Sequence, residues 1–158
     1  MNIFEKRRER VYDCMAGESI PMLIILDFEG RRNPTLRWLT GHPQDALLFL
    51  SADRKSILVP WDINMAMLYA NADSMLPYGQ FDRDEIKAIN GAAKLFNLPH
   101  GSRIEIPRST SYPDFLKYVE TLDSLYVICR NDGIWPELEK SRAVKDEEEI
   151  KLYRQIAA

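Results

Sequence analysis

Histidine and cysteine are nearly missing from this sequence, with two of each in 158 residues. Cys14 and Cys129 lie far apart with no CxxC spacing, which argues against a disulfide scaffold and suits two free thiols in a reducing compartment. His42 sits beside Pro43 and His100 beside Gly101, and neither has a second histidine or cysteine at ligand spacing, so both read as turn histidines rather than metal ligands. Glycine is also scarce, seven in all, and neither GxGxxG nor the GxxxxGK phosphate loop occurs. No apolar run approaches the roughly 18 residues of a membrane span. The charged N-terminus runs into VYDCMAGES rather than a signal-peptide apolar core, which points to a soluble, intracellular protein. Positive charge is in deficit: 21 basic residues stand against 24 acidic ones, a net charge of -3. No overall positive field exists to draw in nucleic acid or an anionic membrane.

What is present suits one globular domain. The chain is 46% hydrophobic and 28% charged, and at this length it can bury roughly two thirds of its unfolded surface. The single basic cluster is KRRER, Lys6 to Arg10. Phe4, Val11, Tyr12 and Met15 flank it at helical spacing, which predicts a helix over about 3–15 with the cluster on its solvated face.

Helices and strands then alternate. Met22 to Phe28 reads as a buried strand. Trp38 and Leu39 lead to a turn at Gly41 to Pro43. Residues 46–60 read as a hairpin around SADRKS, its first strand apolar on both faces and therefore central. A short helix is expected over 64–72 and a clearer one over 84–96, interrupted by Asn90 and Gly91. The strand RIEI follows, then a helix with Phe115, Tyr118, Val119 and Leu122 at helical spacing, then the strand SLYVICR. The hydroxyl cluster Ser109, Thr110 and Ser111 fits a helix N-cap better than a nucleophile. The pattern is an α/β fold, a mixed β-sheet with an antiparallel hairpin flanked by helices.

The closing segment SRAVKDEEEIKLYRQIAA carries a strong helix start. Asp146 and Glu149 have capping-box spacing, and Glu147 and Glu148 place negative charge at the positive end of the helix dipole. Glu147 and Lys151 stand four apart in the favourable order. Ile150, Tyr153, Ile156 and Ala157 form an apolar stripe that needs a cover. A helix of about 12 residues is marginal alone, so the segment reads as part of something larger.

Taken together, RRERVYDCM, the apolar strand, NPTLRWLTG, the hairpin ALLFLSADRKSILVP and SRAVKDEEEIKLYRQIAA resemble the N-terminal domain of the creatinase and prolidase family of metallopeptidases. Asn33 followed by Leu39, Thr40 and Gly41 is similar to the family's asparagine and YLTG element, with Trp38 in place of tyrosine. Arg142, Val144, Lys145, Glu149, Ile150 and Ala157 resemble its linker into the catalytic domain. The resemblance implies a ribonuclease H-like N-terminal domain over 1–141, with a linker and the first turns of the next domain's opening helix over 142–158. The chain would then be divided at a domain boundary.

What the resemblance implies about function follows from that division. The family's two divalent metals, of manganese, cobalt or zinc type, are held by two aspartates, a histidine and two glutamates of the second domain. No metal ligand and no catalytic residue is therefore assigned in this chain. The expected role is non-catalytic: packing on the chain's own catalytic domain and on a second subunit, in a cytoplasmic homodimer that admits short Xaa-Pro peptides to a dipeptidase or aminopeptidase P-type site. Trp61 and Tyr69 are the first candidates for the rim of that entrance, Trp38 and Arg37 the second; ordinary packing competes with each reading. A creatinase-like hydrolase and a non-catalytic peptidase-like binding protein are the alternatives. A nuclease built on Asp27, Glu29, Asp62 and Glu105 is disfavoured by the absence of a basic surface.

Overall fold

The computed structural model describes residues 1–157. These residues hold six strands and seven helices. The strands are β1 (Met22–Asp27), β2 (Ala46–Ser51), β3 (Ser56–Pro60), β4 (Ser74–Met75), β5 (Ser102–Glu105) and β6 (Leu125–Ile128). The helices are α1 (Ile3–Glu18), α2 (Pro34–Thr40), α3 (Ile63–Tyr69), α4 (Glu85–Leu95), α5 (Tyr112–Thr121), α6 (Ile134–Ala143) and α7 (Glu147–Ala157).

One sheet organises the fold, in the order β4-β3-β2-β1-β5-β6. β2 runs antiparallel to both of its neighbours, β1 and β3, with Leu23 opposite Leu50 and Leu48 opposite Leu58. The outer pairs β3–β4, β1–β5 and β5–β6 are parallel. The sheet is therefore mixed and contains the expected hairpin. Every residue of β2 is buried, as a strand covered on both faces requires.

Alternation along the strands separates two cores. Leu23, Ile25, Leu48 and Leu50 face one side, with Val11, Met15, Leu36, Leu39, Trp135 and Leu138. Met22, Ile24, Leu47 and Phe49 face the other, with Ala88, Ile89, Ala92, Tyr118 and Leu122. So α1, α2 and α6 cover one face while α4 and α5 cover the other.

The structure corrects several expectations. Arg7 and Arg8, placed by sequence on a solvated face, are 6% and 3% exposed. α2 and α6 are helices that the sequence pattern did not reveal. α2 is short, and Pro136 inside the first turn of α6 disguises a helix that Pro tolerates there. α3 starts one residue earlier than expected and ends at Tyr69. Val119 belongs to the exposed side of α5, although its spacing suggested burial. Lys151 pairs with Glu148 rather than Glu147.

Gly91 has a packing reason. A Cβ there would lie 2.4 Å from the Phe81 ring, which closes over the middle of α4. Glycine in a helix interior normally costs about 1 kcal/mol relative to alanine, yet here the collision opposes that gain. Gly91→Ala is expected to lower stability by about 1 kcal/mol or more, and a urea midpoint equal to or above wild type would refute the contact.

Candidate functional site

The two sequence elements that carry the resemblance meet in space. In the first, the Asn33 side chain caps α2 by accepting from the Thr35 amide at 3.1 Å, and its own amide donates to Asp27 at 3.1 Å. The Thr40 hydroxyl donates to the Leu36 carbonyl at 2.8 Å and accepts from the His42 amide at 3.1 Å. Gly41 ends the helix in the left-handed conformation, φ 78°. A Cβ there would lie 2.8 Å from the Phe4 ring and 2.9 Å from the Tyr69 carbonyl, so both conformation and space require glycine.

The last carbonyls of a helix lack intrahelical partners, and those of α2 are buried. The Gly41 amide takes the Arg37 carbonyl at 2.7 Å. Arg7 donates to the Trp38 carbonyl at 2.8 Å, Arg8 to the Leu39 carbonyl at 2.9 Å, and the Asn71 amide to the Thr40 carbonyl at 2.7 Å. Arg8 also holds the Asn71 carbonyl at 2.8 Å and its side chain at 2.7 Å. This is why two arginines of the basic run are buried: they close the end of a helix whose dipole is negative there.

Arg7 then reaches the second element. Its Nε donates to Asp146 at 2.8 Å, its other arm pairs with the same carboxylate, and Glu149 lies 3.8 Å away. The capping box forms as expected: the Asp146 amide donates to Glu149 at 3.0 Å and the Glu149 amide to Asp146 at 2.9 Å. Arg142 donates to the Thr35 hydroxyl at 2.9 Å, and Lys145 to the Arg142 carbonyl at 3.0 Å. Burial alone would push the Asp146 pKa up, but the Glu149 amide and Arg7 outweigh it and hold the carboxyl below its ordinary value.

Beyond this anchor α7 buries no residue. Ile150, Leu152, Tyr153 and Ile156 are all exposed. Between α7, the start of α1 and α2 lies an open depression of about 1110 Å³, lined by Ile3, Phe4, Arg37, Trp38, Arg142 and Leu152 among others.

The four rim candidates are not gathered into one place. Arg37 and Trp38 line this depression, but Trp38 is only 8% exposed and belongs to the core, its ring under the Arg7 guanidinium. Trp61 follows β3 and stacks between Phe28 and Tyr78, with centroids 5.5 and 4.0 Å away. It lines a separate hollow with Arg32, Pro43 and Asp45. Tyr69, 59% exposed, ends α3.

No group of three or more histidine, cysteine or carboxylate side chains could hold a metal among the described residues. The carboxylates weighed for a nuclease serve elsewhere. Asp27 accepts from Asn33, Asp62 caps α3, and Glu105 is buried against Arg130 at 2.8 Å. Ser111 caps α5 through the Asp114 amide at 3.2 Å, as expected. No helix among the described residues is long and apolar enough to cross a membrane.

His42 is not an ordinary turn histidine. It is fully buried, and neither ring nitrogen makes a well-formed hydrogen bond. Burial pushes its pKa below the usual value, against the Asp45 backbone and the carboxylates of Asp62, Asp27 and Asp45, which pull it upward.

The fold so defined is that of the creatinase/prolidase N-terminal domain, an α/β domain with a six-stranded mixed sheet and an antiparallel hairpin. No family model matches the sequence, and no curated protein matches it. Solved structures do match across most of the chain. A Xaa-Pro aminopeptidase, aminopeptidase P, from Streptococcus thermophilus superposes with a TM-score of 0.69 at 12% identity, over 89% of this chain and 99% of that one. The X-Pro aminopeptidase of Thermotoga maritima gives 0.68 at 16% identity over 91% of this chain, but only 38% of that longer chain is covered. The creatinase/prolidase-like N-terminal domain from Corynebacterium diphtheriae gives 0.55 at 13% identity, over 83% and 98%. At these identities the likeness is one of fold.

Two outcomes test this geometry. Arg7→Met leaves the buried Trp38 carbonyl without a partner and the partly buried Asp146 carboxylate without its counter-charge, and should cost about 3 kcal/mol, measured by urea unfolding; a loss below about 1 kcal/mol would show that the clamp is not structural. The His42 pKa is lower folded than unfolded, so its contribution is complete above about pH 6.5 and is lost as pH falls through the folded value. Thermal melts should therefore weaken between about pH 7 and pH 5, and His42→Leu should flatten that slope. Equal slopes in both proteins would refute the assignment.

Proposed function

We propose that this chain is the non-catalytic N-terminal domain of a Xaa-Pro dipeptidase or aminopeptidase P-type metallopeptidase. In this reading its work is assembly and control of access, and the chemistry belongs to a domain entered through α7. The observation that carries the reading is α7 itself. Its first turn is fixed by Arg7, Asp146 and Glu149, while its apolar residues Ile150, Tyr153 and Ile156 stay in solvent. A helix anchored at one end and amphipathic along its length is made to be covered by another folded unit. The fold match to aminopeptidases P supports the identity of that unit.

Two divalent metals would be held in the second domain, where they would polarise the scissile carbonyl and activate a water. This chain contributes no ligand to them. Its contribution is the shape of the entrance: a rigid wall excludes long peptides by size, and aromatic side chains give such a wall large contact area at low entropic cost. Trp61 and Tyr69 are the leading rim residues, being exposed or half-buried at the ends of β3 and α3. Trp38 and Arg37, which line the depression beside α7, come second. A cytoplasmic homodimer is the expected assembly, with no role for nucleic acid or membrane.

Residues 1–158 with added manganese should hydrolyse no Xaa-Pro dipeptide, and the uninterrupted reading frame expressed whole should do so. Turnover by residues 1–158 would overturn the division of labour. In the whole protein, Trp61→Ala should raise kcat/KM for longer Xaa-Pro peptides relative to dipeptides; an unchanged ratio would remove Trp61 from the rim.

A further inference from the structure

The sheet has two ends, and they are finished differently. The β4 end is two residues long and is followed by Pro77, which blunts it against pairing. The β6 end is a strand, Leu125 to Ile128, with no charge, no proline and no element hydrogen-bonded beyond it among the described residues. Its ladder parity is fixed by β5. The Ser124 carbonyl accepts from the Gly101 amide at 2.7 Å and the Ile128 carbonyl from the Ile106 amide at 3.0 Å. Even-numbered residues therefore aim their backbone at β5, and odd-numbered ones aim it outward. The Leu125 amide is taken by the Leu122 carbonyl at 3.0 Å. The outward groups left are the Leu125 carbonyl and both polar groups of Val127 and of Cys129.

We propose that this edge joins a second copy of the chain by antiparallel β6–β6 pairing about a two-fold axis at Val127. Apart from the Cys129 carbonyl, the set of free groups is self-complementary in that register. Each Val127 amide meets the other copy's Val127 carbonyl, and each Cys129 amide meets the other's Leu125 carbonyl, giving four hydrogen bonds; the Cys129 carbonyl, facing a Leu125 amide that Leu122 already holds, stays with water at the rim. Residues 126 and 128 then stand directly opposite. Tyr126, 63% exposed in the single chain, covers the second copy's Ile128, an aromatic and β-branched pair of the kind that stabilises sheets.

The face above the edge fits as well. α5 packs on β6 and presents Tyr112, Leu116 and Val119 to solvent, spaced along one side of the helix. Two-fold pairing lays α5 antiparallel to its copy with these residues between them. Glu120 borders the stripe and Lys117 lies one turn before it on the solvent side, both exposed. In an antiparallel pair each lysine meets the other copy's glutamate, so the charge pattern favours a second copy over an unrelated strand.

The inference takes the assembly part of the proposed function and gives it a surface, and it holds for the isolated chain whether or not the peptidase reading does. A four-residue edge with one helix stripe covers roughly 1,000 Å², near the lower limit of specific interfaces, so association should be weak. Sedimentation of residues 1–158 from about 10 µM to about 1 mM should show a monomer–dimer equilibrium. Tyr126→Lys should weaken it at least about tenfold without changing the circular dichroism spectrum. Lys117→Glu should also weaken it, and Lys117→Glu with Glu120→Lys should restore it. The Val127 amide should exchange more slowly with deuterium as concentration rises. A monomer throughout, a dimer indifferent to these substitutions, or a Val127 amide whose exchange ignores concentration would overturn the proposal. A dimer that forms elsewhere would sink the edge while leaving the peptidase reading intact.

Discussion

The guanidinium of Arg7 is the constraint on which the rest of this structure hangs. It fills the buried end of α2 by bonding the Trp38 carbonyl, and with its remaining donors holds the carboxylate that starts α7. A lysine would have to reach both partners from a single nitrogen, whereas the guanidinium spreads its donors over three, Nη1 on the carbonyl and Nε and Nη2 on the carboxylate. Arg8, one residue on, closes the neighbouring carbonyl and fixes Asn71 after α3. Two adjacent side chains thus tie α1 to three segments distant in sequence. Their burial is tolerable because each charge has carbonyl or carboxylate partners.

That clamp also gives physical content to the sequence elements behind the resemblance. Asn33 and Thr40 cap the two ends of α2, Gly41 admits the chain where Phe4 and Tyr69 crowd it, and Arg142 seats the approach to α7 on Thr35. Each of these residues is held in a capping or packing contact. Together they form the joint between α1, α2 and the start of α7.

Most of the architecture was legible from pattern. The doubly apolar run of β2, the polar turn after it and the alternation of helices with strands gave the mixed sheet, because these signals are local and burial amplifies them. The capping box at Asp146 was legible for the same reason. What stayed hidden was non-local. A basic run beside an apolar stripe looks like a solvated face, and only the position of orphaned carbonyls on another helix explains why Arg7 and Arg8 turn inward. His42 had the sequence context of a turn, and its burial follows from the packing around it. Likewise Trp38 reads as a rim aromatic until the arginine lying on its ring is seen. The fold was thus carried by sequence, while the joint at its centre needed the third dimension.

The single anchorage of α7 has a mechanical consequence. Eleven residues at about 1.5 Å each make a rod of about 16 Å, and it is gripped at one end only. A tilt of about 10° at the grip displaces the far end by about 3 Å, close to the diameter of a water molecule. The position of that end relative to the sheet is set by the angle at which one arginine holds one aspartate. Small changes in the ion pair are therefore geared up into displacements of a few ångströms at the far end of the rod, about 3 Å for that tilt.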